Sequence, residues 1–504
     1  MTFLAASASP AAADRFERAA WAAIIGLAIL RIATLWAEPL PLYGDEAQYW
    51  VWSLDPAWGY FSKPPLVAWA VALTTALAGD TELGVRLSSP LFHLGTSIVL
   101  VAIGTRLFDR RTGLWAGILW ATLPAVSISA VTLSTDAPLL FFWSMALYAA
   151  LRGIQGGGWG AWLLFGASLG LGLLSKLAMA YLLAGLALVL ATDRQSRPAA
   201  LDWRLWTGLA LGGVIYLPNL LWQRAHAFVT FRHVADDANV QAFALKFDRL
   251  GAFLGEQFGV FGPLLLLGLL WILLRGRALP GRDRRATLLV LFSLPPLLAV
   301  STVALLSAAN ANWAATAYPS ATVLLAAWGT GALAGASADS PWAGRVLRAT
   351  LALHLFAGIA AYAYHPVARG FGLELTRRTD PASRQMGWPE VAAALQPILA
   401  AHPGVPLVTE HRLVYSLMAF YLRPRPPQLQ WNKDKRVDNH FELVADWSRA
   451  RPDQAILATT DPSPPGALRE YRAGERIAVI TVPVYRDLSR VLYVYRLSEL
   501  RPQR

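Results

Sequence analysis

The sequence predicts a polytopic α-helical membrane protein of about eleven transmembrane helices, followed by a soluble α/β domain. Three observations predict it. Of the 504 residues, 55% are hydrophobic and only 15% charged, where a soluble chain carries about 25% charged residues. Mean hydropathy is +0.41, and the 21 Trp residues suit a chain with many membrane interfaces. Apolar runs of spanning length recur as far as residue 364 and then stop.

Those runs lie near 19–36, 84–105, 113–129, 137–152, 160–175, 177–192, 205–222, 252–274, 286–307, 312–334 and 346–364. Prolines inside a run, as at Leu294-Pro295-Pro296, are tolerated in membrane helices. The first run has no clear cleavage site beside it and reads as a retained anchor, not a signal peptide. Basic residues set the orientation. Arg15, Arg18, Arg106, Arg110, Arg111, Arg152, Arg194, Arg197 and Arg204 fall on one side, with Arg275, Arg277, Arg282, Arg284, Arg285, Arg345 and Arg348. That side faces the cytoplasm by the positive-inside rule, which puts the C-terminal segment outside.

Residues 1–369 therefore read as a transmembrane domain and 370–504 as an extracytoplasmic α/β domain. The latter holds short apolar runs, such as 455–458, 477–482 and 491–495, between Pro, Gly and charged residues. The net charge of +12 does not signal nucleic acid, because the Arg residues sit mostly in short loops between apolar spans. Cys is absent, which excludes disulfides, thiolate metal sites and Cys nucleophiles.

The first outer loop is the richest in chemistry. Tyr43-Gly44-Asp45-Glu46-Ala47-Gln48-Tyr49-Trp50 places two adjacent carboxylates directly after a span. Trp58-Gly59-Tyr60-Phe61-Ser62-Lys63-Pro64-Pro65 follows, with a Lys held against two prolines. The plainer account is a solvated acidic pair beside an aromatic belt. Asp136, in Leu133-Ser134-Thr135-Asp136-Ala137-Pro138, starts a span on the same outer side. It fits a helix cap as well as an acid facing a cavity. Lys176 lies between two apolar runs, where it either snorkels to headgroups or meets a phosphate. The outer loop 223–251 holds Arg232, a candidate anion fork, and His226 and His233, whose spacing matches no standard metal-ligand pattern. Asn312 and Trp313 stand at a further outer mouth, suited to capping or to a sugar.

Asp45, Glu46, Lys63, Asp136, Lys176, Arg232 and Asn312 all map to one membrane face, which suggests a polar cavity opening outward. Sugar transfer from a polyprenyl phosphate to a hydroxyl fits such a cavity. The lipid tail requires a membrane enzyme, cations stabilise the leaving phosphate, and a carboxylate serves as base. One in-line displacement inverts the anomeric centre.

Several of these segments resemble the membrane-embedded glycosyltransferases of families 39 and 83, which have the GT-C fold. This class includes protein O-mannosyltransferases, the aminoarabinose transferase acting on lipid A, and rhizobial-type lipid A and core galacturonosyltransferases. The matching pieces are Gly44-Asp45-Glu46-Ala47-Gln48-Tyr49, Gly59-Tyr60-Phe61-Ser62-Lys63-Pro64-Pro65, Leu83-Gly84-Val85-Arg86-Leu87, Ser134-Thr135-Asp136-Ala137-Pro138-Leu139, Gly172-Leu173-Leu174-Ser175-Lys176 and Asn312-Trp313. A fainter echo lies at Lys435-Arg436-Val437-Asp438-Asn439. The resemblance implies that Asp45 is the first catalytic carboxylate and Asp136 the second essential acid, holding acceptor or donor. It implies that Lys63 meets the lipid phosphate, and that Glu46, Tyr60, Arg86, Lys176, Asn312 and Trp313 bind substrate; Arg232 joins the substrate-binding set on its own chemistry, as a phosphate or carboxylate fork. Many relatives place an acid or Asp-His before the double proline; Ser62-Lys63 stands there in this sequence, so a metal contact made by that acid is not carried over.

The expectation is an inverting glycosyltransferase of the bacterial inner membrane with its site facing the periplasm. No cofactor is expected, and no residue is assigned as a metal ligand. Its partners are a polyprenyl-phosphate sugar donor, membrane lipids and a lipid or glycan acceptor such as lipid A or lipopolysaccharide core, with no nucleic acid. A protein O-mannosyltransferase-like enzyme is the alternative. A secondary transporter is a more distant one, because no internal repeat is visible and the acids lie at span ends.

Overall fold

The structure, a computed structural model, describes residues 10–238, 245–275, 283–333, 341–434, 436–463 and 465–502. Arg277, Arg282 and Lys435 lie outside the described residues.

Each of the eleven apolar runs falls mainly on helix over its described residues. Seven helices among the described residues are long and apolar enough to cross a membrane: Ala13–Ala37, Glu82–Leu107, Asp136–Ile154, Gly158–Ser175, Trp203–Ala225, Arg284–Leu306 and Trp342–Gly370. An eighth run is split into Phe247–Phe261 and Pro263–Leu274, bent by 114°. The count by length and composition is thus seven or eight, not eleven, and local backbone chemistry explains the difference. Gly262 adopts φ 89°, a left-handed conformation open to glycine, and Pro263 then starts the next helix. Leu123 is extended ahead of Pro124, so the run at 113–129 breaks into Arg110–Thr122 and Pro124–Ser129. Lys176 is extended at φ −163°, ψ 142°, and the run after it opens with a 3₁₀ turn, Leu177–Ala180, before Tyr181–Thr192. The run at 312–334 likewise opens with a 3₁₀ segment, Ala311–Ala317, before Tyr318–Thr330.

The described residues form two compact units. One takes in Arg86–Tyr362 with the first helix up to Thr34. The other joins Leu35–Val85 to Ala363–Arg504. A boundary at 369/370 leaves the first outer loop with the transmembrane part, whereas these units pack it with the C-terminal segment.

Small residues bring helices together in the first unit. A Cβ on Gly166 would lie 2.0 Å from the Gly208 carbonyl oxygen, so the helices Gly158–Ser175 and Trp203–Ala225 meet backbone to backbone. Trp143, Trp162 and Phe165 fill the buried core around them.

The second unit is built on a five-stranded sheet. Its strands are β1 (Leu407–Thr409), β2 (Gln428–Gln430), β3 (Gln454–Thr459), β4 (Tyr471–Tyr485) and β5 (Leu488–Leu500), in spatial order β2-β1-β3-β5-β4. β1 runs parallel to both neighbours, while β5 is antiparallel to β3 and β4. Pro483 is tolerated because β4 is an edge strand, and the ladder is irregular between Pro483 and Tyr485. Val408, Leu457, Leu497, Trp447 and Tyr471 form a core on one face. The helix Arg412–Tyr421 packs on the first-loop helix Gly44–Ser53. Gly44 permits this approach, since a Cβ there would lie 2.7 Å from Leu413 Cδ2.

Candidate active site

The two acids singled out from sequence stand in different settings, one in each unit. Asp45 lies in the first turn of Gly44–Ser53, where the free N–H groups of the helix end favour a negative charge. The next residue, Glu46, is buried, and its Oε2 accepts the Tyr43 N–H at 2.8 Å. It thus caps the helix that carries Asp45. Asp45 Oδ1 accepts from Arg412 Nη1 at 2.7 Å, and the same nitrogen donates to Gln48 Oε1 at 2.7 Å. The Asp45 side chain is 38% exposed, and no bond to its Oδ2 is found among the described residues.

Tyr60 belongs to the same unit and is buried. Its hydroxyl donates to the Trp52 carbonyl at 2.9 Å and accepts from the Ala57 N–H at 3.1 Å. Its ring stacks on Trp52 with centroids 4.5 Å apart. Burial pushes the hydroxyl pKa up to about 12, so it stays protonated as a pin for the loop. Lys63 is half-buried, and its carbonyl accepts the Tyr60 N–H at 3.2 Å, closing the turn before the double proline.

Asp136 opens the helix Asp136–Ile154 in the first unit, with its N–H directed to Ser134 Oγ at 3.3 Å. Both carboxylate oxygens are engaged. Lys176 Nζ donates to Oδ1 at 2.7 Å, and Asn312 Nδ2 donates to Oδ2 at 2.5 Å. The backbone breaks described above place these donors: Lys176 is the extended residue between two helices, and Asn312 sits in the 3₁₀ segment. Asp136 and Asn312 line a cavity of about 300 Å³ that is otherwise mostly apolar, with Trp120, Leu140 and Tyr318 among its walls.

The structure therefore brings Asp136, Lys176 and Asn312 into one cluster. Trp313 packs into a buried group with Phe253, Val300 and Ala304. Arg86 is buried. Arg232 is exposed on the helix Val229–Ala238 and makes no ion pair among the described residues. His226 stacks on Trp222 with centroids 3.9 Å apart and bonds the Trp222 carbonyl. Among the described residues no group of three or more His, Asp or Glu is gathered closely enough to hold a metal ion.

Two residues escape a sequence reading. Arg412, on a helix of the α/β part, binds Asp45 with no motif around it. His93 is buried in a membrane helix, lines the Asp136 cavity and has its Nε2 3.0 Å from Ser129 Oγ; a lone His in an apolar run carries no signal of its own.

Residues 62–222 match the family described as dolichyl-phosphate-mannose-protein mannosyltransferase. The chain is 35% identical over 309 residues to the lipid A galacturonosyltransferase RgtD of Rhizobium johnstonii, covering 60% of this chain and 64% of that protein. It is 28% identical over 197 residues to the lipopolysaccharide core galacturonosyltransferase RgtA of the same organism, covering 38% and 39%. The chain thus spans less than two thirds of the length of these relatives. In fold it matches ArnT from Cupriavidus metallidurans in the apo state, with a TM-score of 0.64 at 16% identity over 95% of this chain and 98% of that one. The same enzyme bound to undecaprenyl phosphate gives a TM-score of 0.61 at 18% identity, over 94% and 97%. The likeness to GT-C glycosyltransferases carried by the motifs thus extends to the fold, and the chain is a polytopic helical protein of the GT-C type with a small sheet toward its C-terminus.

Proposed function

We propose that this protein transfers a sugar from a polyprenyl-phosphate donor to an envelope acceptor, lipid A or lipopolysaccharide core, at the periplasmic face of the bacterial inner membrane. The observation that carries the reading is the unequal engagement of the two acids. Asp136 has both oxygens occupied by Lys176 and Asn312, so it serves to hold substrate and its neighbours in place. Among the described residues nothing bonds the second oxygen of Asp45, and its side chain is 38% exposed, as suits a proton acceptor.

In this reading Asp45 takes the proton of the acceptor hydroxyl. The acceptor oxygen bonds to the anomeric carbon as the carbon–oxygen bond to phosphate breaks, and the polyprenyl phosphate leaves with the electron pair. One such displacement inverts the anomeric centre. Lys63 meets the departing phosphate, where preorganised positive charge lowers the barrier. Arg86 and Trp313 are assigned to substrate binding by resemblance, and Arg232 by the chemistry of its guanidinium.

The relatives' names support the substrate classes: a lipid A and a lipopolysaccharide core galacturonosyltransferase among sequences, and an enzyme crystallised with undecaprenyl phosphate among structures. The mannosyltransferase match at residues 62–222 favours a protein acceptor as the second reading. Mass spectrometry of lipid A and core from a deletion strain separates the two. Loss of one defined sugar, restored by wild type but not by Asp45→Asn or Asp136→Asn, supports the proposal. An unchanged lipopolysaccharide profile overturns it in favour of another acceptor.

A further inference from the structure

The helix Ala13–Ala37 buries an arginine to which the transfer reaction gives no part. Arg31 is only 3% exposed. An ionisable group within a membrane span is costly, and such groups mark functional positions. Among the described residues no carboxylate pairs with Arg31; its partners are neutral oxygens. Nη2 donates to the Ala121 carbonyl and lies 3.5 Å from Ser127 Oγ, and Nε donates to the Tyr362 hydroxyl at 3.1 Å.

These partners flank the helix break at Pro124. The helix Arg110–Thr122 ends just before it, so Ala121 is among the last carbonyls, which lack an intrahelical partner. Irregular backbone at membrane depth must be satisfied by other protein groups, and Arg31 supplies that donor. The Tyr362 hydroxyl in turn donates to the Ser127 carbonyl at 2.6 Å. One neutral donor would satisfy Ala121 at less cost than a buried charge. The guanidinium fork does more, because it meets both sides of the break at once and, through Tyr362, the helix Pro341–Gly370. The segment held in this way is a wall of the Asp136 cavity. Trp120, Leu123, Ala125, Val126, Ile128 and Ser129 all line it, while Ser127, between two of them, meets Arg31 instead. On the cavity side, Ser129 Oγ lies 3.0 Å from Nε2 of His93, another lining residue. The wall is thus fixed from both faces.

We infer that Arg31 is a positioning residue: it holds the broken segment 120–129 in the shape with which the Asp136 cavity binds substrate. The inference rests on the reading of that cavity as part of the transfer site. Arg31 acts through the wall and touches no reacting atom, so its loss should weaken binding and leave the chemical step nearly unchanged.

Two measurements on the full-length protein in detergent test this. Hydrogen exchange read by mass spectrometry reports on the wall without reference to activity. In Arg31→Met and Tyr362→Phe, peptides covering 120–132 should exchange faster than in wild type, while peptides from the sheet strands Gln454–Thr459 and Leu488–Leu500 stay unchanged. Steady-state transfer, with lipid-linked donor and acceptor varied in turn, reports on binding. Arg31→Met should raise KM for one of the two about fivefold with kcat within about twofold, and Arg31→Lys, which keeps a donor for Ala121, should recover part of it. A loss of folded protein alone would lower turnover without moving KM. If Arg31→Met does not fold, Tyr362→Phe, which removes one hydroxyl and leaves the charge in place, decides by the same two readouts. Unchanged exchange at 120–132, or unchanged KM for both substrates in the folded variants, overturns the proposal. A wild type that transfers no lipid-linked sugar overturns the transfer reading instead, and exchange at 120–132 then decides alone whether Arg31 holds the wall.

Discussion

Lys176 Nζ lies 2.7 Å from Asp136 Oδ1, joining a helix break to a helix start 40 residues earlier. The side chains are 18% and 10% exposed, so the pair is largely out of water. Removing one partner of such a pair strands the other charge, at about 3 kcal/mol or more. Lys176→Met is therefore expected to lower the melting temperature of the purified protein clearly. Lys176→Met with Asp136→Asn should recover much of that loss, because no charge is left unpaired. A single variant as stable as wild type would remove the structural role assigned to the pair.

The apolar runs were legible because hydrocarbon imposes a strong compositional demand on each span. Their breaks were less so. Gly262-Pro263 and Leu123-Pro124 carry the signals of a helix stop, yet both sit inside runs where membrane helices tolerate proline. Asp136, Lys176 and Asn312 could be placed on one face from topology, but their convergence on a single carboxylate depends on backbone geometry at Lys176 and in the 3₁₀ segment at Asn312. Arg412 was invisible for another reason. It lies 367 residues from Asp45, and no periodicity or motif links the two. Glu46 is expected from sequence to bind substrate beside Asp45; that it also accepts the Tyr43 N–H from its place in the first helical turn is visible only in the structure.

Arg412 is expected to orient Asp45 rather than stabilise the fold. The pair is half-exposed, so its net contribution to stability is small. Loss of the guanidinium frees the Asp45 carboxylate to rotate, and a tenfold loss of turnover corresponds to about 1.4 kcal/mol in the barrier. Arg412→Ala should therefore lower kcat about tenfold with KM little changed, and Arg412→Lys should recover part of it. Steady-state transfer with a labelled lipid-linked sugar measures this. Equal turnover in Arg412→Ala and wild type would show that the contact is incidental.

Gly44→Ala tests the close approach of the first-loop helix to the helix Arg412–Tyr421. The added Cβ would meet Leu413 Cδ2 at 2.7 Å and Leu413 Cβ at 2.9 Å, so the helices must shift. Overpacking of this kind costs about 1–3 kcal/mol. The variant is expected to melt lower, and Leu413→Ala on top of it should relieve part of the clash. Additive losses in the double variant would mean that the two residues do not couple.

Glu442 supplies a pH test of the α/β part. Burial pushes its carboxyl above the ordinary value, and the Asp438 N–H donating to Oε2 at 2.7 Å offsets only part of the shift. The folded state therefore holds this proton more tightly than the unfolded chain does. The resulting stabilisation is complete below the ordinary carboxyl value and is lost as pH rises through the folded one. Melting curves of wild type and Glu442→Gln between about pH 4 and 7, the window around ordinary carboxyl titration, measure it. The stability of wild type relative to Glu442→Gln should fall as pH rises. A difference that stays constant, or grows with pH, would mean that the buried carboxyl is not held in its protonated form by the fold.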